Sequence, residues 1–316
     1  MSRRSISDIP IVPDAVVHDV TVRPVRSAKA WGAFAACGAI WGSTFLVISI
    51  GNDALPPLWA ATLRLILAAA LLSVWTVARG DSFPRGAALR AALSYGVCQF
   101  GINFPLLYWG EKTVPSGLSA VLYATIPLTS ALFTRALGME RLTAAKIIGA
   151  VTAFGGVAVL FSGSLSATGW SGQRTPWGLL AVVTGTTAAS LGTVLLKRGP
   201  RQGPIAANAV ACALGALISA VVSFAAGESH PLPATWSSAL PLLYLTVAGS
   251  LGAFVIMSWL LHHWSVSRTS YVTVIVPVIA LALGSIFRHE KLGVVSVAGT
   301  ALVLAGLLIG MRGGRS

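Results

Sequence analysis

The sequence predicts an all-α integral membrane protein with ten transmembrane helices, arranged as a 5+5 inverted repeat around a central cavity. Hydrophobic residues make up 55% of the 316-residue chain and charged residues 10%, with a mean hydropathy of +0.80. A soluble core of this length cannot bury so much apolar surface. The chain also matches itself after a shift of 150 residues, which pairs Pro127 with Pro277 and Glu140 with Glu290. Duplicated membrane proteins of this kind usually form a passage between their halves.

Ten apolar runs approach the length that a membrane helix needs, which is about 20 residues. An open sheet would leave backbone amides unpaired in hydrocarbon, so every run is predicted to be helical. The first five predicted spans are 31–51, 57–78, 88–109, 117–137 and 144–163. The second five are 176–196, 205–226, 238–260, 270–287 and 293–311.

The remaining segments lie outside the two predicted five-helix repeats, which extend over residues 31–163 and 176–312. Residues 1–30 are interrupted by prolines and aspartates, which predicts a disordered cytoplasmic tail rather than a signal peptide or a span. Residues 164–175 are rich in serine and glycine and are predicted to link the halves. Residues 313–316 are predicted to form a short cytoplasmic tail.

The net charge of +13 is distributed as in a membrane protein, and it does not indicate nucleic-acid binding. If the amino terminus is cytoplasmic, 17 of the 22 basic residues fall in cytoplasmic segments and Arg64 falls in a span. The remaining four are Lys112, Arg174, Arg288 and Lys291. This bias follows the positive-inside rule and predicts that both termini are cytoplasmic. Because each half has an odd number of spans, the second half is predicted to be inverted relative to the first.

Several motifs follow one another in a defined order along the chain. They are Trp41-Gly42-Ser43-Thr44-Phe45, then Arg64, then Pro127 with Gly138-Met139-Glu140-Arg141-Leu142, and finally Pro277 with Glu290-Lys291-Leu292. Together they resemble the EamA family of drug/metabolite transporters over residues 31–312. The resemblance implies a multi-pass carrier of the bacterial inner membrane with ten helices in a 5+5 inverted repeat. It also implies efflux of amino acids, related metabolites or small amphipathic compounds.

Polar residues at helical spacing are candidates for lining the cavity. In the third span, Tyr95, Gln99 and Asn103 recur every four residues and are expected to share one face. Further candidates are Tyr123 in the fourth span, Ser190 in the sixth and Thr273 in the ninth. These residues predict an uncharged, hydrogen-bonding cavity near the midplane. Serine and threonine in membrane helices also bond to their own backbone or join neighbouring helices, and this structural role is the alternative.

Four other residues inside spans have two readings each. Pro127 and Pro277 each remove a backbone hydrogen bond, so they are candidates for a gate or for a purely architectural kink. Trp41 lies in mid-span, where it either stacks on a substrate or fills a gap between helices. Arg64 either faces the helix bundle and binds carbonyl groups or an anionic substrate group, or it extends towards the interface.

The acidic residues leave one candidate for ion coupling. None of the nine is predicted in mid-membrane, where proton- and sodium-driven carriers often place a carboxylate. Glu111, at the outer end of the third span, is the candidate for proton coupling, and a plain loop position is the alternative. Glu140 and Glu290 precede predicted helices and are expected to have structural roles there.

Enzyme classes are excluded by the motifs that are missing from the sequence. There is no P-loop lysine, no nucleophile elbow and no metal-ligand cluster, so no cofactor or metal is expected. The expected partners are a small-molecule substrate and the lipid bilayer, for a protein that is a monomer or a homodimer. A non-transporting scaffold or sensor subunit with the same fold is one alternative function, and a channel is another.

Overall fold

The computed structural model describes residues 28–139, 142–165, 175–200, 202–253, 256–257, 260, 272–290 and 293–312, and all regular structure in these ranges is helical. Within these ranges, six helical segments are long and apolar enough to cross a membrane. They are Ala28–Gly51, Pro57–Ala78, Ser116–Ala136, Thr175–Arg198, Pro204–Ala225 and Val294–Met311. Two shorter apolar helices are Ala144–Leu160 and Val274–Arg288. Most of the predicted amino-terminal tail and linker, the carboxy-terminal tail and Glu140 lie outside the described residues.

The helices occur in the order that the apolar runs predict. The first half contains α1 (Ala28–Gly51), α2 (Pro57–Ala78), α3 (Gly86–Tyr95), the π-helical segment π1 (Gly96–Ile102), α4 (Asn103–Gly110), α5 (Ser116–Tyr123), α6 (Ile126–Ala136) and α7 (Ala144–Leu165). The second half contains α8 (Thr175–Arg198), α9 (Pro204–Ala225), α10 (Trp236–Tyr244), π2 (Leu245–Gly252), α11 (Val272–Arg288) and α12 (Val294–Arg312). Helical structure is present in each predicted span, although the third, fourth and eighth are not single α-helices.

Two π-helical segments interrupt equivalent helices of the two halves. A shift of 150 residues carries π1, Gly96–Ile102, onto residues 246–252, which lie within π2. A π-helical turn contains more residues than an α-helical turn, so it rotates the faces of the helix that follows. The duplication is therefore visible in the local backbone as well as in the sequence.

The two prolines that the repeat relates, Pro127 and Pro277, have different local structures. Pro127 lies in the first turn of α6, immediately after a break at Ala124 and Thr125 that ends α5. Because proline has no N–H, it cannot donate the hydrogen bond that would continue α5 into α6. Pro277 instead lies inside the continuous helix α11. The helix is thus broken for two residues just before Pro127, whereas α11 continues through Pro277.

Each half packs against its counterpart through two pairs of equivalent helices. The most extensive helix contacts are between α7 and α12 and between α2 and α9. A shift of 150 residues relates α7 to α12, and a shift of 147 residues relates α2 to α9. The repeat also relates contacts between helices that are not equivalent to each other. Helix α1 packs against α11, and its counterpart α8 packs against α6, the counterpart of α11.

The crossing of α7 and α12 depends on four glycines. A Cβ atom at Gly149 would lie 2.5 Å from the Gly306 carbonyl oxygen, and one at Gly156 would lie 2.7 Å from that of Gly299. The partner number falls as the residue number rises, so the two helices run antiparallel. The 150-residue shift converts Gly149 to Gly299 and Gly156 to Gly306, so the contact maps onto itself. A local two-fold axis perpendicular to the helices relates its two sides.

Close backbone approach at this crossing predicts that Gly156→Leu is strongly destabilising. The added side chain meets the backbone of α12, which cannot rotate away as a side chain can, and overpacking of this kind costs about 1–3 kcal/mol. The matched control is Gly155→Leu, because nothing lies within 4 Å of a Cβ atom at Gly155. Thermal unfolding of the two purified variants measures the difference. Equal melting temperatures would contradict the assigned packing.

Candidate functional site

Arg64 lies in the middle of α2 and faces the interior of the helix bundle, with a residue exposure of only 4%. Its Nη1 atom donates to the Tyr108 hydroxyl at 3.2 Å, and its Nε and Nη2 atoms donate to Ser250 Oγ at 3.4 and 3.3 Å. The guanidinium carbon lies 4.9 Å from the centre of the Phe104 ring, which adds a cation–π contact. The interface-directed alternative for Arg64 is therefore wrong.

The partners of Arg64 are electrically neutral. Ser250 Oγ donates its own hydrogen to the Leu245 carbonyl at 3.2 Å, which leaves its lone pairs for Arg64. Neither of the ion pairs that join described residues includes Arg64. A buried guanidinium with hydroxyl and aromatic partners keeps its full positive charge in a region of low dielectric constant.

An aromatic ladder runs beside Arg64 along α3, π1 and α4. The ring centres of Tyr95 and Phe100 are 5.5 Å apart, those of Phe100 and Phe104 5.1 Å, and those of Phe104 and Tyr108 6.3 Å. The first pair is five residues apart in sequence and the others are four apart. The wider π-helical turn brings the five-residue pair onto one face.

Tyr95 and Asn103, which the sequence predicts to share a face, contact different neighbouring helices. Tyr95 is buried in an apolar cluster with Ala211 and Cys212 of α9. Asn103 lies instead against Gly185 of α8, where an added Cβ atom would be 3.0 Å from Asn103 Oδ1. The common face of Tyr95, Gln99 and Asn103 stays a prediction.

Asn103 and Tyr123 form a buried polar pair. Tyr123 donates its hydroxyl hydrogen to Asn103 Oδ1 at 2.5 Å, and Asn103 Nδ2 donates to the Gln99 carbonyl at 3.3 Å. Asn103 is fully buried, whereas Tyr123 is half-buried and packs edge-on against Phe45 at 5.1 Å. Gln99 contributes its backbone carbonyl to this pair, and its side chain is half-buried.

The other sequence candidates occupy different positions. Ser190 is fully buried between α6 and α8, where its hydroxyl bonds to that of Thr129 and donates to the Thr186 carbonyl at 2.9 Å. These bonds fit the structural role that the sequence left open for Ser190. Trp41 is half-buried against the main apolar core. Thr273 belongs to α11, but its side chain lies outside the described residues.

Two carboxylates lie near the loop that joins α4 to α5. Glu111 directly follows α4, has a residue exposure of 6% and has no hydrogen-bond partner for either carboxylate oxygen. Glu290 accepts hydrogen bonds from the backbone N–H groups of Ser116 at 2.9 Å and Gly117 at 3.2 Å, and from the Ser116 hydroxyl at 2.7 Å. Glu290 therefore caps α5 of the other half, whereas the sequence suggested the helix that it directly precedes.

The electrostatic environment of Glu111 favours its neutral form. Burial raises the pKa of the Glu111 carboxyl well above its usual range, and the negative charge of Glu290 raises it further. The nearby Ser119 hydroxyl has a smaller, opposing effect on this pKa, although it completes no hydrogen bond in the structure. Among the described residues, no group of histidine, cysteine and acidic side chains is arranged to hold a metal ion.

Phe104, Tyr108 and Ser250 belong to the Arg64 site but are absent from the sequence-derived candidates. Phe104 and Tyr108 are four residues apart, so their spacing could have placed them on one face of the third span. Ser250 has no such signal, because it lies 186 residues from Arg64 and resembles any serine of a membrane helix.

The chain is similar to several known proteins. The sequence profile described as the EamA-like transporter family matches residues 30–162 and 176–311, which together cover nearly the whole chain. The chain is 29% identical over 263 residues to YedA of Escherichia coli, named an uncharacterized inner membrane transporter, covering 83% of this chain and 84% of YedA.

Two further similarities extend the comparison. A Salmonella typhimurium protein named "Probable amino-acid metabolite efflux pump" is 28% identical over 290 residues, covering 87% of this chain and 92% of that protein. A crystal structure of another protein matches 91% of this chain and 99% of its own with a TM-score of 0.61 at 20% sequence identity. This last likeness concerns the fold alone.

The buried Asn103–Tyr123 pair predicts that Tyr123→Phe lowers stability. The substitution leaves Asn103 Oδ1 buried without its donor, and an unsatisfied buried acceptor costs about 1–3 kcal/mol. The matched control is Tyr244→Phe, which removes a 2.7 Å bond to the Ser43 hydroxyl in an exposed setting. Thermal unfolding of both variants should show the larger loss for Tyr123→Phe, and the reverse order would contradict the assignment.

Proposed function

We propose that this chain, which belongs to the EamA-like transporter family, exports small organic molecules with an anionic group, foremost amino acids and related metabolites. Membership of the family identifies the protein as a transporter and not an enzyme. The observation that carries the proposed substrate chemistry is Arg64, a buried guanidinium whose partners are neutral.

The chemistry of the Arg64 site fits a carboxylate. A guanidinium presents paired N–H donors that match the two oxygens of a carboxylate, and such charge-assisted bonds are stronger than bonds to hydroxyl groups. The bonds from Arg64 to Ser250 Oγ are long, at 3.4 and 3.3 Å. A substrate carboxylate that replaces Ser250 as the acceptor therefore binds the guanidinium more strongly. The Phe104 ring beside the guanidinium offers an apolar surface to the remainder of the substrate. The Asn103–Tyr123 pair supplies further hydrogen-bonding groups from α4 and α5.

Export is proposed from the relatives, because the names of two similar proteins describe efflux. These proteins, from Salmonella typhimurium and Escherichia coli, are each named "Probable amino-acid metabolite efflux pump". The match with this chain covers 92% of the length of each protein. The proposal therefore rests on a region that this chain shares with both. The name of YedA supports placement in the inner membrane as a multi-pass protein.

Alternating access is the proposed mechanism, carried by ten membrane helices in a 5+5 inverted repeat. The antiparallel packing of α2 with α9 and of α7 with α12 supports an inverted relation between the halves. In such an arrangement each half can adopt the packing of the other, which exchanges the side on which the cavity opens. The charge bias supports an orientation with both termini in the cytoplasm.

Counterflow in proteoliposomes tests the proposed function. Unlabelled amino acid inside the vesicles should accelerate uptake of the same labelled amino acid, because a carrier returns faster when it is loaded. A channel would conduct without this acceleration, and a scaffold or sensor subunit would give no flux. Absence of exchange for every anionic amino acid, neutral amino acid and related metabolite tested would contradict the proposal.

Arg64→Gln should reduce counterflow of a carboxylate-bearing substrate at least tenfold. Losing one partner of a buried, hydrogen-bonded charge pair typically costs about 2–5 kcal/mol, and each 1.4 kcal/mol is a factor of ten. The matched control is Arg79→Gln, which removes an exposed arginine paired with Asp81. Size-exclusion profiles of both variants check folding. Equal counterflow by the two variants would remove Arg64 from substrate recognition.

A further inference from the structure

Three acidic side chains join the two halves through polar contacts at one end of the bundle, the end at which α2 and α5 begin. Glu290 caps α5, as described above. Glu228, in the loop after α9, accepts from the backbone N–H groups of Leu58 at 3.2 Å and Trp59 at 2.9 Å and so caps α2. Arg288 at the end of α11 pairs with Asp53 at 2.5 Å in the loop after α1. We call this end the outer face, following the proposed orientation, and we call it closed when these contacts are formed, as they are in this structure.

The Glu290 cap differs from the other two contacts because a second carboxylate is buried beside it. Glu111 is unpartnered, and the Ser119 hydroxyl, which is fully buried on α5, is unpartnered as well. Gly284 of α11 makes the room for the cap, since a Cβ atom there would collide with Glu290 Oε2 and lie 3.0 Å from Ser116 Oγ. The helices therefore close tightly around two acidic side chains.

We propose that Glu111 is a proton-binding site whose occupancy determines whether Glu290 stays on the amino terminus of α5, and therefore whether the outer face is closed. The proton comes from water at the outer face and binds a carboxylate oxygen of Glu111 when that face closes. This inference rests on the proposed transporter function, and it assigns the proton as the ion that this transporter senses.

The physical reason is the cost of burying charge. Closing the face around an ionised Glu111 would desolvate a carboxylate that has no hydrogen-bond donor. It would also place that negative charge near Glu290, which needs its own charge to bind the N–H groups of Ser116 and Gly117. Protonation of Glu111 removes both costs. Loss of the proton restores them, and opening of the face relieves them by hydration.

Other titratable groups around Glu111 do not replace it in this role. Tyr108 of α4 and Tyr123 of α5 interact electrostatically with Glu111, but neither is acidic near neutral pH. Arg288 interacts with Glu290, and its closest partner is Asp53. The α8 helix packs against α4 and α5 and carries its charged residues, Lys197 and Arg198, at its far end.

The sign of the pH dependence follows from linkage. In the closed state the pKa of Glu111 is raised, whereas hydration in the open state returns it towards its ordinary value. The closed state is therefore favoured fully at acidic pH, and this preference is lost as the pH rises through the raised pKa. One linked proton changes the open-to-closed ratio by up to about tenfold per pH unit.

The test measures opening without any substrate. Spin labels are placed at Lys112→Cys and Val294→Cys, two exposed positions beside Glu111 and Glu290, after the native cysteines are replaced. In lipid nanodiscs, the population with the longer label distance should grow as the pH rises. Glu111→Gln mimics the protonated carboxyl and should keep the short distance at every pH. Glu290→Ala removes the cap and should favour the long distance at every pH.

A matched control and a direct protonation readout complete the test. Glu228→Gln alters a carboxylate that also caps a helix of the other half, and it should retain the pH response of the unmodified protein. Infrared difference spectra should contain a protonated-carboxyl band at neutral pH that Glu111→Gln abolishes. A pH response that persists in Glu111→Gln, or an infrared band that this variant leaves unchanged, would overturn the proposal.

These outcomes separate the two proposals. A protein that passes both substrate-free tests but exchanges none of the candidate substrates would refute the proposed function and leave the proton site intact. A protein that exchanges amino acids while Glu111→Gln retains the normal pH response would refute the proton site alone.

Discussion

The antiparallel crossing of α7 and α12 is the constraint on which the arrangement of the two halves depends. Gly149 and Gly156 lie against Gly306 and Gly299, so backbones meet where side chains would normally keep helices apart. Close approach without side chains favours van der Waals packing between helices in lipid, where the hydrophobic effect adds little. Because the four glycines are two pairs of repeat equivalents, the contact fixes one half relative to the other by a local two-fold relation. The α2–α9 contact repeats this relation.

The polar site arises where the sequence departs from that symmetry. Arg64 of α2 corresponds to Ala211 of α9 after the 147-residue shift that relates these two helices, so the bundle has one guanidinium at this level and not two. Its partners come from both halves, with Tyr108 from α4 and Ser250 from π2. A symmetric scaffold with an asymmetric charge offers a single preferred position for an anionic ligand. Glu111 is a second asymmetric residue, because its equivalent position holds Leu261.

The sequence predicts the helices well because span length and apolar composition are local properties. The second span, 57–78, coincides with α2, and Gly38 and Gly42 pack against Ile275 and Ile279 of α11 as close-approach glycines should. The π1 segment was not predictable in the same way, since one additional residue in a turn leaves no mark in composition. The partners of Arg64 and Glu290 also escaped prediction, because they lie 173 or more residues away when they belong to the other half.

The two halves are proposed to be inverted copies of each other, and side-specific labelling tests this relation most directly. Ser82 follows α2 and Leu232 follows the equivalent helix α9, and both are exposed in their loops. In a background without Cys37, Cys98 and Cys212, each position is changed to cysteine and treated with a membrane-impermeant maleimide on spheroplasts. An inverted repeat with cytoplasmic termini predicts that Leu232→Cys reacts on intact spheroplasts and that Ser82→Cys reacts only after lysis. Reaction of both positions from the same side would contradict it.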